Sequence, residues 1–473
     1  MMDTPYGITI NGKRVLTTAN KAAINPATEK SICHFPIATR EHLDQAVVAA
    51  QNAFALWRDR PLEERQAMVA KLGDLIAENR ESFIRLLITE QGKGRAGAEW
   101  EIGGSIHWLH EIAKQSLPSE VIVDNGEEQI VTRYTPIGVI GGITPWNFPL
   151  LLAVWKIAPA LVAGNTMVLK PSPYTPLCTL WFGELAQSVL PPGVLSVISG
   201  GDELGKWMTE HPGIGKISFT GSTATGRKVM SSASVNLKRL TLELGGNDPA
   251  IVLPDVDPKK IAKDLFWASF ANSAQFCVAC KRLYIHEDVY DAVAHELVEY
   301  AKTVTIGNGL TDGVELGPIQ NRMQYDKVLN LLQDCKDRGQ RFLLGGDASV
   351  SPGYFIPVSL VDNPPEDSRV VVEEAFGPVL PLLKYRDIDD VVRRANNSPY
   401  GLAASVWGKD VKKAEAIASR LEAGTVWINQ IHTFSPDIAF GGHKQSGMGI
   451  ENSLHGMAEY CNTQTLMQKP FAT

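Results

Sequence analysis

The sequence predicts an α/β protein with two sheets of mainly parallel strands and a small β arm. Between residues 139 and 246, short β-rich runs alternate with helical ones, and the second half of the chain repeats this alternation. Such alternation is typical of parallel strands joined by helical crossovers in a doubly wound sheet. The polar turn Asp124-Asn125-Gly126 separates two further β-rich runs and predicts a hairpin leaving the body of the domain.

Length and charge narrow the functional classes. The 473 residues are 44% hydrophobic, which is enough for large cores and two or more domains. A net charge of −7 and the lack of a basic block argue against nucleic acid and anionic membranes as partners. The first residues lack the pattern of a secretory signal, and six scattered cysteines make no disulfide framework. We therefore expect a cytoplasmic protein.

Local patterns predict each element in order. Between residues 46 and 87, apolar residues recur at spacings of three and four residues, so the chain is expected to open with amphipathic helices. The predicted strands of the first sheet are VIGGITP, TMVLK, VLSVIS, KISFTG and LTLELGG. Those of the second are AIVLPD, RLYIHED, FLLGG, VVEEAFGPVLPLLKY, LAASVWG and TVWIN. Doubly wound sheets bind ligands at the carboxyl ends of their strands, so candidate site residues are sought there.

The stretch ANSAQFCVACKRLYI, residues 271–285, places Cys277 and Cys280 three residues apart. Structural zinc usually needs four ligands, and because no second cysteine pair exists we expect no metal. His107 and His110 share a helix face but have no matching partner elsewhere. A thioredoxin-like dithiol is disfavoured because the pair follows a helical run. An activated thiol remains, and its alternative is a small buried apolar residue, which we favour for Cys280.

Two polar residues at predicted strand ends could take part in chemistry. Glu243 lies among apolar residues in LTLELGG, where burial would make it a usable base, although an isolated glutamate of this kind is more often an ion-pair partner. Asn147 follows the strand VIGGITP and could donate to an oxyanion, or could form a local turn before Pro149.

Two other segments suggest nucleotide contacts. FTGSTATGRK runs from a strand through Gly221 and Ser222 into a helix, which suits a phosphate at the helix N-terminus, but its spacing is not the usual dinucleotide fingerprint. Lys170 ends the strand TMVLK and could bind ribose hydroxyls or be solvated.

The motifs together resemble the NAD(P)-dependent aldehyde dehydrogenases over essentially the whole chain. TPWNFP, GNTMVLKPS, FTGST, LELGG, the Q-x-C-x-A pattern, EEAFGPV and FGGHKQSGMG occur in that family's order and separations. The resemblance implies a Rossmann-like NAD(P)-binding domain (1–115 and 137–245), a catalytic domain (246–455) and an oligomerisation arm (116–136 and 456–473). It also implies a homodimer or homotetramer.

The resemblance assigns a role to each candidate residue. Cys277 matches the family's nucleophile, Glu243 its general base and Asn147 the side-chain donor of its oxyanion hole, while Cys280 matches no catalytic position. The implied reaction is thiolate attack on an aldehyde, hydride transfer to the nicotinamide and hydrolysis of the resulting thioester to a carboxylic acid. The family's cofactor contacts correspond to Ile143, Trp146, Lys170, Ser172, Gly201, Gly205, Phe219, Gly221, Ser222, Leu244, Glu374 and Phe376.

Departures from the family pattern bear on specificity. Pro173 stands where many NAD-preferring members have a glutamate that repels a 2′-phosphate. NADP is therefore possible, but we expect NAD because no Arg or Lys is added nearby to hold that phosphate. Asn247-Asp248 and Ala439 also depart from common family residues, without touching a catalytic role.

The predicted aldehyde tunnel is apolar. It is lined at the matching positions by Phe148, Leu152, Trp155, Phe276, Val278, Phe434 and Phe440. Because no Arg or Lys is placed to bind a second carboxylate, we expect a neutral aliphatic or aromatic aldehyde of medium to long chain. The alternative for some of these aromatic residues is that they only fill the core.

Three other functions compete with this one. A CoA-acylating aldehyde dehydrogenase typically lacks the glutamate base, and a non-redox cysteine hydrolase would not need a nucleotide-binding half. A non-catalytic structural protein would not need the Cys, Glu and Asn set. A reversible Cys277–Cys280 disulfide is a further hypothesis, suggested by spacing alone.

Overall fold

The computed structural model of the protein describes residues 6–348 and 352–469. Residues 1–5 of the predicted first domain, 349–351 of the second and 470–473 of the arm lie outside the described residues. No helix in the described part of the chain is long and apolar enough to cross a membrane.

The strands in the described ranges are as follows: β1 (Ile8–Ile10), β2 (Lys13–Val15), β3 (Asn20–Ile24), β4 (Ser31–Pro36), β5 (Glu120–Asp124), β6 (Gln129–Pro136), β7 (Val139–Ile143), β8 (Thr166–Lys170), β9 (Leu195–Val197), β10 (Lys216–Thr220), β11 (Arg239–Glu243), β12 (Asp248–Val252), β13 (Cys280–His286), β14 (Phe342–Leu344), β15 (Ser359–Asp362), β16 (Val379–Tyr385), β17 (Tyr400–Gly401), β18 (Ala403–Trp407), β19 (Thr425–Ile428), β20 (His443–Lys444), β21 (Gly447–Met448) and β22 (Cys461–Gln468).

The helices are α1 (Arg40–Arg58), α2 (Leu62–Glu78), α3 (Arg80–Gln91), α4 (Arg95–Ile112), α5 (Leu151–Val162), α6 (Leu177–Ala186), α7 (Asp202–Glu210), α8 (Thr223–Ala233), α9 (Pro258–Phe270), α10 (Tyr290–Ala301), α11 (Arg322–Asp337), α12 (Arg369–Val372), α13 (Ile388–Asn396), α14 (Val411–Ala418) and α15 (Ser453–Ala458). Short 3₁₀ turns occupy Ser234–Asn236 and Ala271–Ala274.

The first large sheet has the strand order β21-β11-β10-β7-β8-β9. β7 to β11 are parallel, and the chain adds β8 and β9 on one side of β7 before crossing to β10 and β11 on the other. The strand order therefore reverses beside β7, which is where doubly wound sheets bind ligands. β21 pairs antiparallel with β11, although it comes from the segment predicted to belong to the second domain.

The second large sheet has the order β14-β15-β16-β13-β12-β18-β19. All its pairs are parallel except β14 with β15. Hydrophobic clusters cover both of its faces, since Ile251, Tyr284 and Leu383 pack on one side and Ala250, Leu283 and Leu382 on the other. The predicted α/β architecture is confirmed.

The predicted hairpin is present and forms a separate three-stranded sheet. β5 and β6 pair antiparallel, and β22 pairs along the other side of β6. The outer strands are largely exposed, with Ile122 53% and Met467 72% accessible. This sheet therefore presents apolar side chains and unpaired strand edges to solvent.

The expectation that the chain opens with helices is wrong. Two antiparallel hairpins, β1–β2 and β3–β4, precede α1. The first turns through Asn11 and Gly12, both with positive φ (50° and 75°), which is the geometry that an Asn-Gly pair favours. That dipeptide between two β-rich runs is the local signal that the helical periodicity obscured.

Close backbone contact between the two halves of the molecule generates a stability prediction. A Cβ at Gly317 would overlap the carbonyl oxygen of Gly92, whereas Gly103 in α4 has open space around it, with a single side-chain nitrogen at 4.0 Å. Gly317→Ala should cost about 1–3 kcal/mol, because backbone cannot rotate away as a side chain can. Gly103→Ala should stabilise by about 0.5–1 kcal/mol, because alanine loses less backbone entropy in a helix. Thermal unfolding of both variants checks this, and equal midpoints would contradict it.

Candidate active site

The predicted catalytic residues come from different strand ends that meet between the two large sheets. Asn147 follows β7, Glu243 is the last residue of β11, and Cys277 lies in the loop before β13. The carbonyl of Gln275 accepts a hydrogen bond of 3.0 Å from Asn147 Nδ2, which joins the first domain to the cysteine loop. The fold thus brings Asn147 to the loop that carries Cys277.

The backbone before Cys277 is strained. Asn272, Ser273 and Ala274 all have positive φ (52°, 56° and 59°), a region that non-glycine residues rarely adopt. Ser273 Oγ donates to the Gly317 carbonyl at 2.7 Å, and the side chain of Gln275 accepts from Gln320 N at 2.7 Å. These contacts hold the strained turn and fix where the following cysteine lies.

The Cys277 thiol is partly exposed in an environment that opposes ionisation. Burial and the carboxylates of Glu243, Asp248 and Glu374 together raise its pKa to about 12, with burial the main cause, and the ammonium of Lys281 opposes them. Cys277 nevertheless remains partly accessible to solvent. A neutral thiol near a proton acceptor is the resting state that these charges favour.

Glu243 provides a proton acceptor of unusual basicity. It is 4% exposed, and its Oε1 is buried without a hydrogen-bond partner. Burial raises its pKa well above the usual range, the Glu451 carboxylate adds to this, and Lys156 opposes it. Lys156 and Glu451 are themselves a buried ion pair at 2.7 Å. A carboxyl in this state suits proton transfer near neutral pH.

A second buried ion pair supports Asn147. Lys93 Nζ lies 2.5 Å from Glu101 and donates to the backbone carbonyl of Asn147 at 3.0 Å. Glu101 Oε1 also accepts the backbone N–H groups of Leu150 and Leu151 at the start of α5. Because one carboxylate fixes both the lysine and the helix start, the Asn147 segment has little freedom. Its Nδ2 retains one N–H beyond the bond to Gln275.

The residues predicted to bind the adenosine and phosphates surround the carboxyl end of the first sheet. Lys170 ends β8, is 4% exposed, and its Nζ has one weak contact, 3.4 Å to the Pro171 carbonyl. Burial lowers its pKa to about 8. Gly205 lies in α7 against the Lys170 stem, and Gly201 is the N-cap of α7. A buried ammonium with unused donors fits hydroxyl ligands such as those of a ribose.

The other predicted contacts flank the same edge. Ser222 is the N-cap of α8, and the Phe219 ring packs against the position of a Cβ on Gly221. Ile143 ends β7 and Leu244 packs beneath α8 at Gly226. Ser172 is 5% exposed and accepts from Tyr174 N.

The nicotinamide-contact candidates lie nearer the cysteine loop. Trp146 and Phe376 meet edge to face, with ring centroids 5.3 Å apart. Glu374 Oε1 accepts from Gly246 N at 3.1 Å, and a Cβ at Gly245 would clash with Glu374 Oε2. Glycine at 245 therefore permits the close approach of this carboxylate.

A cavity of about 320 Å³ opens beside Gly201, at the start of α7. Its lining includes Lys21, Pro173, Tyr174, Asp202, Glu203 and Trp207. The volume is within the range of ligand pockets. Lys21 comes from β3, over 150 residues from Pro173 in the sequence, and its Nζ lies over the Tyr174 ring at 5.9 Å. The expectation that no cation lies near Pro173 is wrong, because sequence separation concealed Lys21.

The predicted tunnel residues form one aromatic network. Phe148 and Phe276 are 4.6 Å apart, and Phe434 lies 6.1 Å from Trp155 and 5.7 Å from Phe440. Leu152 is partly buried in the first turn of α5. Val278 differs, because its side chain is fully buried in the hydrophobic core and has no exposed surface.

Sequence reasoning missed several residues of this network. Trp100 contacts Phe148 and Phe276, Trp108 stacks on Trp155, and Trp427 meets Phe434 edge to face. His432 lies 4.5 Å from Phe276, and its Nε2 is 3.2 Å from the Val278 carbonyl. Burial lowers the His432 pKa to about 4, so the ring is neutral and donates to that carbonyl. Trp100 and Trp108 stand out in the sequence of α4 as large aromatics on a helix.

The two neighbouring cysteines face different parts of the molecule. Cys277 packs against the first hydrophobic cluster, whereas Cys280 is 3% exposed and belongs to the cluster beneath α9 and α10. In the described residues, no group of three or more His, Cys, Asp or Glu side chains could hold a metal ion.

Comparison with known proteins agrees with this architecture. The model of the aldehyde dehydrogenase family matches residues 16–466. A putative aldehyde dehydrogenase FUS7 of Gibberella fujikuroi is 40% identical over 463 residues, covering 98% of each chain. A Bacillus cereus aldehyde dehydrogenase solved as an NAD+ complex superimposes with a TM-score of 0.96 at 34% identity, covering 99% of this chain and 97% of that one. An E. coli NADP dependent enzyme also gives a TM-score of 0.96, at 33% identity and with 98% of each chain covered. This chain therefore belongs to the aldehyde dehydrogenase family and is an oxidoreductase that acts on aldehydes.

Proposed function

We propose that this protein oxidises a neutral aliphatic or aromatic aldehyde to the carboxylic acid with NAD+, through a thioester on Cys277. The observation that carries the proposal is the unpartnered, buried carboxyl oxygen of Glu243 in the same site as the Cys277 thiol. A nucleophile that resists ionisation and a carboxylate of raised basicity form a working acid and base pair.

The first step is attack of Cys277 Sγ on the aldehyde carbonyl carbon. The thiol proton passes to Glu243, because the charges around Cys277 disfavour a free thiolate. The carbonyl oxygen becomes an oxyanion that accepts from the remaining Asn147 Nδ2 N–H and from the Cys277 backbone N–H. Donors held before reaction stabilise this charge without a reorganisation cost. The Lys93–Glu101 pair keeps the first of these donors in position.

The cofactor would be held by this chain's own residues along the first sheet. Lys170 and the helix starts at Gly201 and Ser222 would bind the ribose and phosphates, and Glu374, Trp146 and Phe376 would orient the nicotinamide. When bound, NAD+ supplies the hydride acceptor that turns the thiohemiacetal into a thioester.

Hydrolysis returns the enzyme to its starting state. Glu243 first releases the thiol proton to solvent and then removes a proton from a water, whose oxygen attacks the thioester carbon. The proton now on Glu243 returns to the departing Cys277 sulfur as the acid leaves. The Glu451 charge helps here by keeping Glu243 basic. A CoA-acylating enzyme would need no such base, so Glu243 favours water as the acyl acceptor over CoA. A non-redox cysteine esterase is the candidate from another class, and it would have no use for a buried Lys170 with unused donors at the carboxyl end of the first sheet.

The aromatic network supports a neutral substrate. Phe148, Phe276, Phe434 and Phe440 offer no charge to a second carboxylate, whose burial without a partner would be costly. Octanal and benzaldehyde should therefore be better substrates than succinic semialdehyde.

The test is NADH formation by absorbance with these three aldehydes. Wild type should reduce NAD+ with the neutral aldehydes, and Cys277→Ala should not. Glu243→Gln should form at most about one NADH per site, and its later turnover should be slower than that of the wild type by about 10² or more, since hydrolysis loses its base.

The rate of the wild type should fall on the acid side at a pH above the usual glutamate range, because Glu243 must be deprotonated to act and its pKa is raised. Full steady-state turnover by Glu243→Gln, or a preference for succinic semialdehyde, would contradict the proposal.

We propose that the protein prefers NAD over NADP because of the charged side chains that line the 320 Å³ cavity. Asp202 and Glu203 both line it beside Pro173 and supply the negative charge that the missing glutamate would give. They oppose a 2′-phosphate, while Lys21 attracts one. Lys170 also interacts with Asp202 and Lys21, but it is expected to bind the ribose hydroxyls, which leaves Lys21 alone to attract a phosphate against the two carboxylates.

Substitutions around this cavity should shift cofactor preference in opposite directions. Asp202→Asn should raise kcat/KM for NADP relative to NAD by about fivefold, the equivalent of about 1 kcal/mol between unit charges at 4 Å in water. Lys21→Met should lower kcat/KM for NADP relative to NAD. Glu210→Gln, at the far end of α7, is the matched control and should leave this ratio unchanged. Wild-type preference for NADP would refute the assignment.

We propose that the arm mediates homodimer or homotetramer formation. Its exposed apolar side chains and strand edges suit pairing with a second copy. This proposal keeps the predicted domain boundaries, with β21 paired into the first sheet: 1–115 with 137–245, 246–455, and 116–136 with 456–473.

We also propose a cytoplasmic location, because six free cysteines suit a reducing compartment.

Light scattering tests the arm. Wild type should have two or four times the mass of one chain, and the Ile122→Asp and Met467→Asp double variant should be smaller, because charges in a strand-pairing interface are costly. Leu56→Asp, an equally exposed site on α1, should leave the mass unchanged. A monomeric wild type would exclude the proposal.

A further inference from the structure

Lys281 is a buried cation between the cysteine loop and Glu374. It is the second residue of β13 and is 5% exposed. Its Nζ lies 2.5 Å from the Cys277 carbonyl oxygen, 3.5 Å from that of Ala279 and 3.6 Å from Glu374 Oε1. One ammonium therefore contacts the backbone of the nucleophile and a side chain expected to hold the cofactor.

We propose that Lys281 is a positioning residue that fixes the Cys277 loop relative to Glu374 and stabilises the Cys277 thiolate when it forms. The inference rests on the proposed function only in taking Cys277 as the nucleophile. It assigns Lys281 no contact with substrate or cofactor.

The geometry accounts for the first part. A loop that follows three residues of positive φ needs contacts on its far side, and the Lys281 bond to the Cys277 carbonyl provides one. Glu374 Oε1 is held from two directions, by Gly246 N and by Lys281. Its Oε2 is thereby left for a ligand, so loss of Lys281 should loosen Glu374 and weaken cofactor binding.

The charges account for the second part. Three acidic groups, Glu243, Asp248 and Glu374, disfavour a thiolate at Cys277, and the Lys281 ammonium opposes them. Lys281 also contacts a carbonyl in the same loop, so its charge cannot move away without breaking that bond. A cation fixed at this position lowers the pKa of the thiol, and its removal should raise that pKa.

The test measures the thiol directly, without cofactor or aldehyde. The rate of iodoacetamide alkylation at Cys277, assigned by mass spectrometry, is followed against pH for wild type, Lys281→Met and Lys281→Arg. The Met variant should shift the profile to higher pH and react on the order of tenfold more slowly at pH 8, because less thiolate is present. The Arg variant should largely restore the profile, since its charge is retained.

A second readout separates positioning from general stability. KM for NAD should rise several-fold in Lys281→Met. Lys327→Met is the matched control, because exposed Lys327 donates to the Glu374 backbone carbonyl at 2.8 Å and does not reach Cys277. It should leave the alkylation profile unchanged.

Each outcome decides the inference. An unchanged alkylation profile in a folded Lys281→Met protein would overturn it, whether or not the wild type oxidises aldehydes. If the Met variant does not fold, Lys281→Gln makes the same comparison, because its amide can still donate to the Cys277 carbonyl but carries no charge. A normal profile in that variant would likewise overturn the proposal.

Discussion

The buried ion pair of Lys93 and Glu101 is the interaction on which the site geometry depends. Both side chains are removed from water, which is costly, and the cost is offset only because every strong donor and acceptor finds a partner. Lys93 contacts Glu101, the Asn147 carbonyl and the face of the Phe148 ring. One pair therefore positions both Asn147, the proposed oxyanion donor, and Phe148, a residue of the proposed aldehyde tunnel. Gly92, the residue before Lys93, lies directly against the backbone of Gly317, which joins this part of the site to the second half of the molecule.

Burial then determines the acid and base chemistry. It raises the pKa of Cys277 and the pKa of Glu243, and a negative charge on Glu243 further disfavours the Cys277 thiolate. The protein adds cations at two places, Lys281 near the thiol and Lys156 near the carboxylate. Glu451 offsets the second of these, which keeps Glu243 basic. In the resting site the thiol proton of Cys277 thus lies near Glu243, the group that is proposed to accept it.

Much of the fold follows from the sequence because its signals are local, and the choice of Cys277, Glu243 and Asn147 as candidate catalytic residues rests on local motifs too. Alternating β and helical runs predicted most strands of both large sheets, and the strand ends carry Asn147 and Glu243. The predictions missed β15 and β21, and the run VVEEAFGPVLPLLKY is a strand only from Val379 to Tyr385, because its first two residues end α12. The residues that were missed act over long sequence distances. Lys93, Lys21 and His432 look like ordinary residues until folding brings them to Asn147, Pro173 and Phe276. The hydrophobic periodicity of a sequence does not predict contacts between residues so far apart along the chain.

The Cys277 and Cys280 pair shows why spacing alone is a poor guide to chemistry. A shared metal or a disulfide requires both sulfurs to face one another. Here the chain changes from a strained loop to a strand between the two residues, and in a strand side-chain direction is set by the pleat. Cys280 therefore enters the core beneath α9, while Cys277 stays at the edge of the first cluster. The same loop-to-strand change turns Lys281, the next residue, back toward the Cys277 carbonyl. In this segment the side chain that contacts Cys277, the proposed nucleophile, is thus Lys281 and not the second cysteine.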